Sequence, residues 1–182
     1  IGCSKEFLNF LTDSVLNGGG AVTDFGCYGA NIATWLMKGE EPLTVSATIQ
    51  TIKPDMYPKV DDEATITLTY PKAQVIIQAS WNWPFGRKDM EVYGESGYVL
   101  APGRDALKIR NSKSKVETIR KITAKEVNVY EDPFSYFADV VSGKIAVPKD
   151  GLYSLENNVT VVHILEAARE SARTGKTIVL KR

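Results

Sequence analysis

Asn17-Gly18-Gly19-Gly20-Ala21-Val22-Thr23-Asp24-Phe25-Gly26-Cys27-Tyr28-Gly29-Ala30-Asn31 places a carboxylate, a phenol and an amide at i, i+4 and i+7 of a segment with no other charge before Lys38. At about 100° per residue the three share one ridge of a helix, which Trp35 continues. Phe25, Ile32 and Leu36 form an apolar ridge roughly a quarter-turn away. Gly26, Ala30 and Ala33 leave a third face small enough for close backbone approach. A helix clothed in this way is expected to be buried nearly all round. Burying Asp24 in an apolar setting is costly, so its ridge is expected to face a wet or ligand-filled cavity.

Working outward, residues 1–17 read as a short helix over Lys5 to Leu16, stopped by Asn17 and the three glycines. The motif helix is expected over 22–37, with Gly39 and Pro42 closing it. Asp24 then falls in its first turn, where the helix dipole favours a negative charge. Period-two alternation begins at Leu43 and marks strands over 43–50 and 64–70. Pro71-Lys72 turns the chain into a third strand over 73–83, which Pro84-Phe85-Gly86 breaks. A hairpin follows, 89–93 and 98–101 around Gly94-Glu95-Ser96-Gly97, with weaker strand patterns at 106–110 and 115–120. Helices are expected over 133–143 and 151–174, the second with Leu152, Leu155, Val159, Val162 and Leu165 on one stripe. Gly175 ends that helix and 177–180 is a terminal strand.

Consecutive hairpin-linked strands flanked by helices predict an α+β fold with a largely antiparallel sheet. Thr44, Ser46, Thr48, Thr65, Thr67 and Thr69 tile one face of that sheet, which is either solvated or meets a second copy of itself. The aliphatic face opposite needs helices over it, so an open-faced sheet with helices packed on one side is expected.

The 182 residues suit one domain, and 43% hydrophobic with 24% charged residues is globular composition. Lys+Arg and Asp+Glu are both 22, so nothing favours a nucleic-acid surface or a polybasic membrane patch. Lys113-Ser114-Lys115 reads as a solvated loop. No apolar run is long enough to span a membrane and no signal peptide is evident. Cys3 and Cys27 are too few for a disulfide framework; a single bridge is possible, but reduced, cytoplasmic usage is the expectation. The chain opens at Ile1 without Met and is expected to be a piece of something longer.

Several chemistries lack their residues. The triple glycine follows a helix, not a first strand, and no Gly-Lys-Ser/Thr occurs, so there is no nucleotide-binding signature. His163 is the one histidine, and Cys/His ligand spacings are missing, so no metal site is expected. No serine carries a nucleophile-elbow sequence. Asp24, Tyr28 and Asn31 remain. Taken singly they are a first-turn carboxylate, a half-buried phenol and a satisfied interior amide. Together they suit alcohol–carbonyl chemistry: a phenol donates to a substrate oxygen, a carboxylate orients it, and an amide selects hydroxyl geometry. A phenol with the ordinary pKa of about 10 is a poor base at neutral pH and needs a cation nearby. No lysine is placed by spacing to supply one.

Gly18-Gly19-Gly20-Ala21-x-x-Asp24-x-Gly26-x-Tyr28-x-x-Asn31 resembles the catalytic-helix motif of the Gfo/Idh/MocA oxidoreductases. The resemblance extends through Glu41-Pro42, Val60-Asp61-Asp62-Glu63-Ala64, Ser154-Leu155-Glu156-Asn157 and Ser171-Ala172-Arg173-Thr174-Gly175-Lys176. It implies that residues 1–182 are the C-terminal substrate-binding and dimerisation domain of an NAD(P)-dependent enzyme acting on a sugar, polyol or related hydroxyl compound. The N-terminal Rossmann domain, which holds most of the NAD or NADP and carries a Glu-Lys-Pro lysine, is absent from this chain. The fragment alone is therefore expected to be inactive. The resemblance assigns catalysis to Asp24 and Tyr28 and substrate binding to Asn31. Many members carry histidine and aspartate where this chain has Tyr28 and Asn31; the tyrosine form resembles the glucose–fructose oxidoreductase branch. Trp81, Asn82, Trp83 and Arg87 are further candidate substrate contacts, because aromatic and amide groups at a strand end suit a sugar ring. The expected partners are a small sugar or polyol, the Rossmann half and a second copy across the open sheet face. The alternative is a non-catalytic sugar-binding or dimerisation module of the same fold.

Overall fold

The computed structural model describes residues 4–114, 116–127, 129–130 and 132–180. Cys3, and with it any bridge to Cys27, lies outside the described residues, as does Lys115 in the expected loop and strand. The elements in chain order are α1 (Lys5–Leu11), a π-helical turn (Val22–Gly26), α2 (Cys27–Leu36), β1 (Thr44–Gln50), β2 (Glu63–Thr69), β3 (Gln74–Ser80), β4 (Met90–Gly94), β5 (Gly97–Gly103), β6 (Ala106–Asn111), β7 (Thr118–Lys121), α3 (Ala124–Val127), α4 (Pro133–Val141), α5 (Leu155–Thr174) and β8 (Ile178–Val179). The chain forms two compact units, Ile1–Asn82 with Val147–Arg182, and Trp83–Ala146.

The first unit is built on a four-stranded antiparallel sheet in the order β3-β2-β1-β8. Its register aligns Val45, Leu68 and Val75, then Ala47, Ile66 and Ile77, then Ile49, Ala64 and Ala79. These rows face the core with Ala30 and Ala33 of α2 and Val161, Ile164, Leu165 and Ala168 of α5. Burying a side chain such as Ile66 or Ile164 stabilises the fold by about 1.5–3 kcal/mol. The alternate rows are Thr44, Thr69 and Gln74; Ser46, Thr67 and Ile76; and Thr48, Thr65 and Gln78. Helices thus cover one face, and the hydroxyl-rich face opposite is open, as the alternation predicts.

Three expectations about the helices are corrected. The first helix stops at Leu11, because the Asp13 side chain accepts the amides of Val15 and Leu16 at 2.9 Å each and turns the chain. The motif helix is not buried all round. Its small face is the one that packs: a Cβ on Gly29 would lie 2.4 Å from Ile77 Cγ2, while Tyr28, Ile32, Trp35 and Leu36 are exposed. In α5, Leu155, Val159 and Val162 point outward, and the buried stripe is Asn157, Thr160, Val161, Ile164, Leu165, Ala168 and Ser171. Polar members are tolerated in that stripe because they are bonded: Ser171 Oγ accepts the Ala47 amide at 2.9 Å.

The second unit holds an antiparallel sheet in the order β4-β5-β6-β7, irregular between Leu100 and Gly103, with α3 and α4 following in sequence. Gly97 closes the β4–β5 hairpin at φ +148°, and a Cβ there would overlap the Arg110 carbonyl. Asp132 caps α4 by accepting the Ser135 amide at 2.8 Å, with Pro133 in the first turn. The short helix α3 has no counterpart in the sequence reading. Among the described residues of this unit none is fully buried.

Candidate active site on the motif helix

The motif helix starts against the loop that leads into β2. The Gly20 amide donates to Asp61 Oδ1 at 3.1 Å, the Ala21 amide to the Asp61 carbonyl at 3.0 Å and the Val22 amide to Asp61 Oδ2 at 2.7 Å. Asp61 therefore takes the capping role that the sequence assigns to a first-turn Asp24. Gly20 permits the approach, since a Cβ there would fall 1.8 Å from the Asp61 carbonyl oxygen. Asp62 secures the loop from the other side. It is fully buried and accepts the amides of Ile52 and Lys53 at 2.7 Å each. Burial works against its charge, but these two donors together with the Asn82 side chain and the Lys53 charge more than offset it and hold its carboxyl below the usual range. Arg169 of α5 adds a third tie, with Nη2 donating to the Gly18 carbonyl at 3.0 Å and to Thr23 Oγ1 at 2.5 Å.

Asp24 lies within the π-helical turn, a rare geometry enriched at functional positions. Its Oδ2 accepts the Trp81 indole N–H at 3.0 Å. Tyr28, one turn on, is 56% exposed. Cys27 lies between them with its Sγ 3.4 Å from the Asp24 carbonyl; burial first, and the Asp24 carboxylate second, push its thiol pKa up and keep it protonated. Asn31 is engaged elsewhere: its Nδ2 donates to the Leu152 carbonyl at 2.9 Å and to Asn158 Oδ1 at 3.2 Å, fastening α2 to the entry of α5. Asp24 and Asn31 thus have different partners, Trp81 for the first and Leu152 and Asn158 for the second. An open depression of about 600 Å³ beside α5 is lined by His163, Glu166, Arg169, Arg173, Ile178 and Leu180. Another of about 300 Å³ lies on the Thr-rich sheet face; neither is lined by Asp24 or Tyr28.

The four strand-end candidates separate. Trp81 is 5% exposed with the Tyr57 ring 5.2 Å away, so it offers no open face to a sugar. Asn82 donates to the Asp62 carbonyl at 3.1 Å and to Glu63 Oε2 at 3.3 Å. Trp83 and Arg87 belong to the second unit. There the Arg87 guanidinium lies 4.9 Å from the Trp83 ring centre and pairs with both carboxylate oxygens of Asp89 at 2.5 and 2.7 Å. His163 forms an exposed pair with Glu41 at 2.7 Å. The capping role of Asp61 and the tie made by Arg169 have no counterpart in the sequence reading; the paired acids ahead of a buried strand were the available signal for the first.

The glycine run does not suit a dinucleotide phosphate, because the amides of Gly20, Ala21 and Val22 already serve the Asp61 carboxylate and carbonyl. Among the described residues no group of three or more His, Cys, Asp or Glu side chains could hold a metal ion. Nor is any helix among them long and apolar enough to cross a membrane.

A search of curated proteins finds no match. Solved structures do match. The aldose-aldose oxidoreductase of Caulobacter crescentus, complexed with glycerol, is similar over 99% of this chain and 52% of its own length, at 21% identity and TM-score 0.76. An oxidoreductase from Agrobacterium radiobacter in complex with NAD+, L-tartaric acid and magnesium is similar over 88% of this chain and 49% of its own, at 19% identity and TM-score 0.67. GenD2 from gentamicin A biosynthesis, in complex with NAD, is similar over 95% and 51% respectively, at 17% identity and TM-score 0.62. The chain spans about half the length of these structures, and at such identities the likeness establishes the fold. The family model of the GFO/IDH/MocA C-terminal domain matches residues 6–100, across the motif helix, strands β1 to β4 and the start of β5, and the chain belongs to that family.

Proposed function

We propose that the chain is the substrate-facing half of an NAD(P)-dependent oxidoreductase that acts on a sugar, polyol or related hydroxyl compound. The observation that carries this reading is a carboxylate held by a buried indole four residues ahead of an exposed phenol on one helix. Tyr28 would exchange the hydroxyl proton of the substrate and Asp24 would orient the pair. Asn31 keeps a weaker claim to a neighbouring substrate hydroxyl, since its amide nitrogen already has partners. A nicotinamide, when bound, supplies the hydride acceptor; its phosphates would be held by a segment outside this chain. The solved relatives with NAD, and the one with glycerol, support that chemistry.

The test is Tyr28→Phe in the full-length protein, assayed by NAD+ and NADP+ reduction with glucose, xylose and myo-inositol. Turnover should fall by about 10²-fold or more; unchanged turnover removes the role. The 182-residue chain alone should show no micromolar NAD(P) binding by calorimetry.

The open face of the first sheet is the proposed contact with a second copy. Ser46, Thr67 and Ile76 form its middle row, and Ile76 is an exposed apolar residue among hydroxyls. Thr67→Lys should convert a dimer to a monomer in light scattering, because like charges would meet across the symmetry axis.

A further inference from the structure

Trp81 follows β3 directly and is held from three sides. Its backbone amide donates to the Asp62 carbonyl at 2.9 Å, its ring lies 5.2 Å from that of Tyr57 at 56°, and its indole N–H donates to Asp24 Oδ2 at 3.0 Å. The Asp62 anchor is itself rigid, being fully buried and bonded to the amides of Ile52 and Lys53. An indole has one donor and no acceptor, so burial obliges it to find an acceptor. Here that acceptor is the carboxylate of the motif helix. The same loop that caps the helix through Asp61 therefore also aims Asp24 through Trp81. One scaffold sets both the backbone start of the helix and the orientation of its acid.

We propose that Trp81 is a positioning residue for Asp24, fixing which carboxylate oxygen stays free for the substrate–Tyr28 pair. This replaces its sequence-based assignment as a sugar-stacking surface and rests on the proposed roles of Asp24 and Tyr28. The buried indole holds Oδ2, which leaves Oδ1 for the reaction.

The test is a double-mutant cycle in the full-length protein with the same three probe substrates. Trp81→Phe retains a ring against Tyr57 and removes only the donor. It should lower kcat by about tenfold, the usual worth of a hydrogen bond to a charged group, with little change in KM. In an Asp24→Ala background the same change should cause no further fall. An equal fall in both backgrounds would show that Trp81 acts by packing and overturns the inference. So would an unaltered kcat in Trp81→Phe alone, provided that Asp24→Ala is impaired. If Asp24→Ala itself is unimpaired, the proposed function is what fails.

A second measurement does not depend on turnover. The chain has three tryptophans, so its 1H–15N spectrum carries three indole signals, assigned by Trp35→Phe and Trp83→Phe as well as Trp81→Phe. Asp24→Ala should displace the Trp81 indole signal and leave those of Trp35 and Trp83 in place. An unmoved Trp81 signal means that the bond is absent and the inference is wrong.

Discussion

The Asp61 carboxylate accepts the Val22 amide at 2.7 Å, so the first turn of the motif helix is capped by the loop before β2. A helix start is a cluster of unpaired donors, and a carboxylate from elsewhere in the chain satisfies them as well as a local cap would. This arrangement leaves Asp24 available to face Trp81. Replacing Asp61 by Ala should destabilise the fold by about 1–2 kcal/mol, read as a lower urea midpoint at unchanged m-value. Asp61→Asn should retain part of the loss.

Gly20 and Gly29 both admit a close neighbour, but the neighbours differ. A Cβ on Gly20 would meet the Asp61 backbone at 1.8 Å, and one on Gly29 the branched side chain of Ile77 at 2.4 Å. The Asp61 backbone, whose carbonyl and carboxylate together take three amides of the helix start, has no room to give; a side chain can adjust. Gly29→Ala should cost about 1–3 kcal/mol, the usual range for overpacking, and combined with Ile77→Ala it should lose less than the sum of the two single losses. Gly20→Ala should cost more. Denaturation midpoints of the four proteins settle the comparison.

Asp62 makes stability depend on acid. Its folded pKa lies below the unfolded value of 3.8, so the folded state binds the proton less tightly than the unfolded state. The resulting stabilisation is present in full above that unfolded value and is lost as pH falls through the folded pKa. Melting temperature should therefore decline below about pH 4. Asp62→Asn should flatten that limb while lowering stability at pH 7. A limb of the same steepness in the variant would assign the acid sensitivity to other groups.

Beyond the short strand β8, which pairs only with Thr44 and Val45, the Ala47 amide on β1 is closed by Ser171 Oγ at 2.9 Å. Ser171→Ala should leave that amide without its partner and cost about 1 kcal/mol. Hydrogen exchange at Ala47 should quicken, with the amides of the β1–β2 ladder unaffected.

Local pattern was sufficient for the strands. Alternation from Leu43 to Gln50 and from Ala64 to Tyr70 placed β1 and β2 and told the Thr-rich face from the aliphatic one, because a pleated strand turns every second side chain the same way. The glycine-rich run and the residues around Asp24 likewise pointed to the family whose model matches residues 6–100. The helices were less transparent. In α5 three members of the expected stripe, Leu155, Val159 and Val162, face outward while Leu165 is buried, because the sheet selects residues by fit and by bonding partner as well as by hydropathy. Nor does a periodic reading of residues 22–37 register the widened turn at Val22–Gly26.

Sequence alone determined which residues the motif helix carries: one acid, one phenol and one amide at i, i+4 and i+7. Tertiary structure decided which partners Asp24 and Asn31 meet. Trp81 is 57 positions from Asp24, Asp61 is 39 from the Val22 amide it accepts, and the Leu152 carbonyl that holds Asn31 is 121 positions away. Hydrogen bonds over such separations form only when sheet register and helix packing bring their partners together, and no local periodicity encodes them.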